Sequence, residues 1–115
     1  MAKRVPLISL TFGASDTTKL SDRISENEGV HQGKGTHIKL TIPAFTNNPT
    51  ITVEILDSDN DTIFSQAAIA DGQTLVISDK SIPLIEREQV RITLSGVPGG
   101  SGGTVTIRIY YLPEE

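Results

Sequence analysis

Five stretches of the chain alternate apolar and polar residues with a period of two, and this alternation constrains the fold more than any motif does. Such a period places the apolar residues on one face of a β-strand and the polar residues on the other. The five stretches are residues 6–12 (PLISLTF), 36–42 (THIKLTI), 51–56 (ITVEIL), 89–95 (QVRITLS) and 104–112 (TVTIRIYYL). They predict half-buried strands whose apolar faces share one core.

Two weaker strand segments, residues 62–69 (TIFSQAAI) and 74–78 (TLVIS), lie between clusters of turn residues. With the first five they make seven strands, or eight, separated by turns. The sequence therefore predicts an all-β protein, an antiparallel β-sandwich or a small barrel. Residues 16–29 (DTTKLSDRISENEG) are predicted either as one helical turn capped by Asp16 or as an irregular edge segment.

The composition excludes several classes of function. At 115 residues the chain is long enough for one domain, which we place at residues 7–115 behind an N-terminal arm of residues 1–6. A net charge of −4 gives no basic footprint for nucleic acid or for an anionic membrane. The chain has no cysteine, so a disulfide framework and a thiolate zinc site are excluded. Ser9, Thr11 and Asp16 interrupt the first apolar run, so we expect a soluble protein without signal peptide or membrane span.

The glycine-rich segment around Ser101 reads G-x-S-x-G, which is also the pattern of a hydrolase nucleophile elbow. That elbow needs a helix after the serine, whereas a predicted strand follows here. A phosphate loop would need a lysine that GGSGGT lacks. We therefore expect no enzyme and no cofactor, and interpret residues 96–103 as a hairpin loop whose mobile tip is dispensable for folding.

Other polar and aromatic residues give weaker candidate sites. Asp57, Asp59 and Asp61 have the spacing of the first calcium ligands of an EF-hand loop, but Thr62 stands where that loop needs glycine. A solvent-exposed hairpin turn explains the same residues and is the preferred interpretation. His31 and His37 lack a third metal ligand, and we interpret them as solvated. For a carbohydrate contact, the candidates are Tyr110 with Phe45 or Phe64.

The segments GKGTHIKLTIPAFTNNPTITVEILDSDNDTIFSQAAIADGQTLVIS and EQVRITLSGVPGGSGGTVTIRIYYL resemble the small β-sandwich virion proteins of tailed bacteriophages in their order of hairpins and turns. The resemblance covers roughly residues 33–112. It implies a jelly-roll-like fold and a non-enzymatic decoration or cement protein that binds the major capsid protein or another virion protein. The protein would be made in the host cytoplasm and placed on the virion surface. The alternative is a carbohydrate- or receptor-binding module of a phage tail.

The N-terminal residues Lys3, Arg4, Val5 and Pro6 are the predicted partner-binding segment. Pro6 favours an extended conformation at Val5, and an edge strand from Leu7 onward would offer unpaired backbone groups to another chain. We therefore expect a closed homo-oligomer whose arms reach the shell or a neighbouring subunit. A trimer is favoured because the resemblance points to capsid three-fold positions. A frayed tail on a monomer is the alternative.

Overall fold

A computed structural model of the chain describes residues 3–4, 7–22, 33–57, 59–78, 82–84 and 88–113. Every regular element in these ranges is a β-strand. The strands are β1 (Lys3–Arg4), β2 (Ile8–Phe12), β3 (Thr18–Leu20), β4 (Gly33–Ile42), β5 (Ile51–Leu56), β6 (Thr62–Ile69), β7 (Gln73–Ile77), β8 (Ile82–Leu84), β9 (Gln89–Leu94) and β10 (Gly103–Pro113).

The strands form two antiparallel sheets. In the six-stranded sheet, β10 and β4 are central neighbours; β1 and β2 both pair with the far side of β10, and β7 and β8 both pair with the far side of β4. The four-stranded sheet has the order β3-β9-β5-β6. Each outer position of the larger sheet is thus one edge strand that is interrupted along its length.

The topology is that of a jelly roll. Counting β1 with β2 and β7 with β8 leaves eight strand positions, and their pairing is first with eighth, second with seventh, third with sixth and fourth with fifth. This pairing is a long antiparallel hairpin rolled up so that alternate pairs fall in opposite sheets. The predicted all-β, jelly-roll-like antiparallel sandwich is confirmed. The extra strands beyond the predicted seven are β1, β3 and β8, each of two or three residues.

The core lies between the two sheets and is made of the alternating apolar residues. In β9 burial follows the predicted period of two, with Val90, Ile92 and Leu94 buried and the residues between them partly exposed. In the opposite sheet Ile107 of β10 is equally buried. At one end Phe12 and Phe45 meet edge to face, with 6.3 Å between the ring centroids.

The helical turn considered for residues 16–29 does not form over Thr18–Leu20, which is strand β3 at the edge of the four-stranded sheet. Asp16 does not cap a helix. Its carboxylate accepts a hydrogen bond from the Gly13 amide at 2.8 Å and lies 3.3 Å from the Lys19 ammonium. The edge-segment interpretation is therefore correct for β3, and residues 23–29 lie outside the described residues.

The predicted hairpin at residues 96–103 is wrong, because β9 and β10 belong to different sheets. The segment crosses from one sheet to the other at the end of the sandwich. It is also bonded to two other loops: the Asn47 amide donates to the Pro98 carbonyl at 2.9 Å, and the Gly99 amide donates to the Ala14 carbonyl at 3.1 Å. A free and dispensable tip is inconsistent with these contacts. Ser101 lies exposed within this crossover.

Candidate functional site

The outer face of the six-stranded sheet carries two adjacent columns of polar residues. They are the positions of β4 and β10 that alternate with the core residues. The register places these residues directly opposite one another in three pairs: His37 with Tyr110, Lys39 with Arg108, and Thr41 with Thr106. Residues opposite each other in antiparallel strands share a face, so the three pairs form one continuous strip.

An open pocket of about 200 Å³ lies on this strip. Its lining is mostly polar and consists of Leu7, Lys39, Thr41, Thr106, Arg108 and Tyr110. Leu7 precedes the edge strand β2 and is 52% exposed, so it adds an apolar side to a polar floor. Pockets for drug-sized ligands are larger, about 300 Å³ and upward, so this one suits a single ring or a small charged group.

A stacked ring pair borders the pocket. The imidazole of His37 and the phenol of Tyr110 lie nearly parallel, with 4.1 Å between centroids and 15° between planes. The stack holds the Tyr110 ring beside the pocket. The other aromatic residues considered for a carbohydrate contact are excluded, since Phe45 and Phe64 are buried in the core. The interpretation of His37 as simply solvated is likewise incomplete, because its ring packs on Tyr110.

The charges on this face are arranged differently from those on the opposite face. Lys39 and Arg108 are two cations directly across from each other, and no carboxylate among the described residues pairs with either. On the four-stranded sheet the equivalent cross-strand pair is Glu54 with Arg91. Two hydrogen bonds join their side chains, at 3.0 Å and 2.9 Å. Like charges opposite each other destabilise a sheet, so the Lys39–Arg108 pair calls for an explanation beyond folding.

The Glu54–Arg91 pair makes stability depend on pH. Hydrogen bonds from the Arg91 guanidinium lower the pKa of Glu54 below its ordinary value. Because the pKa of Glu54 is lower in the folded protein than in the unfolded chain, the ionised carboxylate stabilises the fold at pH values above the unfolded-state pKa. This stabilisation is lost as the pH falls through the folded-state pKa. We expect Glu54→Gln to reduce the unfolding free energy by about 1 kcal/mol or less at pH 7 and by clearly less at pH 3. Urea denaturation at both pH values measures the difference; an equal loss at pH 7 and pH 3 would contradict it.

The aspartates considered as calcium ligands form a hairpin turn between β5 and β6. Asp57 Oδ1 accepts hydrogen bonds from the backbone amides of Asp59 and Asp61, both at 2.9 Å, and Asn60 has a positive φ of 65°. The preferred interpretation of this segment as a turn is thus correct. Within the described ranges no three histidine, aspartate or glutamate side chains are grouped so that they could hold a metal ion. His31 lies outside those ranges.

The predicted N-terminal binding segment runs beside the strand that carries Tyr110. The backbone of β1 pairs with β10 so that Lys3 lies opposite Tyr111 and Arg4 opposite Tyr110. Val5 and Pro6 lie outside the described residues. A role of this segment in binding a partner, and the division into an arm and a domain at residue 7, remain predictions.

Of the residues on this strip, only His37 and Tyr110 were candidates from the sequence, and the pocket itself was not predicted. The sequence did contain the polar residues that line the pocket, at alternate positions of residues 36–42 and 104–112. Alternation cannot predict that these two segments are neighbours in the sheet, because more than sixty residues separate them in the chain. The pocket exists only because β10 lies between β4 and β2.

In the described ranges, no helix has the length and apolar character needed to cross a membrane.

Comparison of the sequence with protein-family models gives no match, and no curated protein matches it either.

Many solved structures share the fold. A chain of the cyanophage Pam1 capsid asymmetric unit matches with a TM-score of 0.62 at 20% identity over 97% of this chain and 85% of that chain. The acid-stable capsid of Helicobacter pylori bacteriophage KHP30 contains a chain that matches with a TM-score of 0.50 at 14% identity, over 99% and 95%. The CBM27-1 module of Caldicellulosiruptor saccharolyticus, in complex with mannohexaose, matches with a TM-score of 0.52 at 16% identity, over 95% and 74%. At these identities the likeness concerns the fold, which this chain shares with phage capsid chains and with carbohydrate-binding modules.

Proposed function

We propose that this protein is a non-enzymatic structural component of a phage virion, a decoration or cement protein that binds an assembled capsid at the virion surface. The observation that supports this function best is the match to the Pam1 capsid chain. It extends over 97% of this chain and has a higher TM-score than the matches to the KHP30 chain and to CBM27-1. The proposed partner is the major capsid protein or another virion protein.

The edge formed by β1 and β2 is the proposed attachment surface. In the part of the chain that the structure describes, these strands pair with β10 on one side only. Their other side has backbone amide and carbonyl groups that a strand of another chain can pair with. Such pairing would serve either a capsid protein or a second copy of this chain, and we propose a closed homo-oligomer, with a trimer favoured.

Deleting residues 1–6 tests this attachment. Because the deletion removes β1 and leaves in place every core residue that the structure describes, the sandwich should remain folded. We expect the truncated protein to lose co-sedimentation with capsids assembled from the major capsid protein of the same genome, and to show a smaller mass in light scattering. Circular dichroism and the thermal midpoint serve as controls for folding. Unchanged capsid binding together with an unchanged mass would rule out an attachment role for the N-terminal residues.

A second candidate function is glycan binding on the outer face of the six-stranded sheet. It is favoured by one observation, the pocket beside the stacked His37 and Tyr110 rings, because a fixed aromatic ring next to hydroxyl groups offers both an apolar surface and hydrogen bonds to a sugar. Binding to a panel of immobilised glycans tests this function. A signal that survives Tyr110→Ala unchanged would exclude this face as the binding surface.

A further inference from the structure

The Lys39–Arg108 pair has the chemistry of an anion site. Both side chains line the same pocket from directly opposite positions on β4 and β10. Without a ligand the two positive charges repel each other across the strands. An anionic group between them would replace that repulsion with two attractions, and the arginine guanidinium can donate two parallel hydrogen bonds to a carboxylate, sulfate or phosphate.

The hydroxyl groups next to the cations are available to a ligand. Thr41 and Thr106 lie opposite each other, one pair further along the strip from Lys39 and Arg108. Among the described residues neither hydroxyl has a hydrogen-bond partner. On the neighbouring strand pair Thr11 and Thr104 behave differently, because their hydroxyls share a hydrogen bond of 3.0 Å. The pocket therefore offers two hydroxyls that can each donate and accept.

The pocket also has an aromatic and an apolar wall. Tyr110, held by its stack on His37, lines one part of it, and Leu7 adds an exposed aliphatic side chain. An inorganic ion could contact the cations and the hydroxyls but would leave the aromatic ring without a partner. A sugar ring bearing an anionic group would contact the cations, the hydroxyls and the ring together, and one such residue of a longer chain suits a pocket of about 200 Å³.

From this arrangement we infer that the outer face of the six-stranded sheet binds an acidic saccharide, one whose sugar ring carries a carboxylate, sulfate or phosphate. Lys39 and Arg108 hold the anionic group, Thr41 and Thr106 bond the sugar hydroxyls, and Tyr110 packs on the ring. This inference rests on the glycan-binding candidate function and specifies its ligand class.

Titration calorimetry with four probes tests the inference: oligogalacturonate, a sulfated oligosaccharide, neutral mannohexaose and sodium sulfate. We expect binding of the two acidic saccharides, weakened by added salt. Lys39→Gln with Arg108→Gln should reduce that affinity at least tenfold, which is about 1.4 kcal/mol or more, because the charge-assisted hydrogen bonds to the anionic group are lost. The double variant should unfold at the same or a higher temperature, since the repulsion is removed. Lys19→Gln, which removes a cation from the four-stranded sheet, is the control and should bind normally.

The other outcomes are distinct. If neutral mannohexaose binds as tightly as the acidic saccharides and the double variant binds it equally well, the acidic ligand class is wrong but the glycan-binding function stands. If no saccharide binds, both the acidic ligand class and the glycan-binding function are wrong. Sulfate alone binding as tightly as the sulfated oligosaccharide would identify an adventitious ion only. Loss of capsid binding in the double variant without any saccharide binding would mean that this face docks an acidic protein segment, and the inference would be wrong.

Discussion

Gly102→Ala is expected to destabilise the fold by roughly 2–5 kcal/mol, the sum of an unfavourable backbone conformation and a steric clash. Gly102 has a φ of 72°, in the left-handed region where a side chain is strained. A Cβ built there would overlap the Phe12 carbonyl oxygen and lie 2.8 Å from the carbonyl carbon. These are backbone atoms of β2, which pairs with β10 starting at Gly103 opposite Phe12, so they have little freedom to move.

Gly96→Ala is the matched control within the same crossover. A Cβ at Gly96 meets no atom within 4 Å, and its φ lies outside the left-handed region. We expect a change within about 0.5 kcal/mol. Urea unfolding of both variants measures the two effects. Similar stabilities for Gly102→Ala and Gly96→Ala would mean that the crossover does not dock against β2 as described, and that the glycines serve only as a flexible connection.

The crossover also shows where sequence interpretation fails. Period-two alternation predicted both flanking strands and their buried faces correctly, because burial of one face is a local property of each strand. The choice of sheet is not local. Residues 96–103 look like a hairpin loop when the only information is two adjacent strands, and glycine is typical of both free and tightly packed turns. The contacts to Ala14 and Asn47 that distinguish them come from distant parts of the chain.

Strand β6 shows only weak alternation in the sequence, and the cause again lies in its contacts with another strand. Its buried residues Phe64 and Ile69 are five positions apart, which breaks a period of two. The structure explains the spacing by a register shift against β5 and by Ala68, which has a positive φ of 58°. A β-bulge of this kind adds one residue and returns the next apolar side chain to the core. Alternation alone cannot predict such an insertion.

For the candidate site, the sequence supplied the residue types but not their combination. His37, Lys39, Arg108 and Tyr110 were all predicted on strands, and two of them were discussed singly as weak candidates. The stack and the opposed cations arise from the exact register of β4 against β10, and shifting that register by one residue would separate them. The register is set by burial on the inner face, where Ile38 and Leu40 pair with Ile109 and Ile107.

The second large effect is expected from the core itself. Ile92 and Ile107 are both fully buried, and they lie on central strands of opposite sheets. Truncation to alanine removes three carbons from a packed interior and leaves a cavity that the neighbouring strands cannot fill. We expect Ile92→Ala and Ile107→Ala each to cost roughly 2–5 kcal/mol of unfolding free energy. For a domain of this size that loss lowers the thermal midpoint by roughly 10–20 °C.

Val76→Ala is the control for both core variants, because Val76 is an aliphatic residue on β7 with 53% of its surface exposed. We expect its unfolding free energy to stay within about 0.5 kcal/mol of the parent value. Calorimetry and urea unfolding should then separate the two core variants clearly from Val76→Ala. Since Ile92 and Ile107 belong to different sheets, comparable losses at both positions indicate one shared core between the sheets. A loss at only one of them, with the other as mild as Val76→Ala, would mean that the sheets do not pack face to face in the register given by β9 and β10.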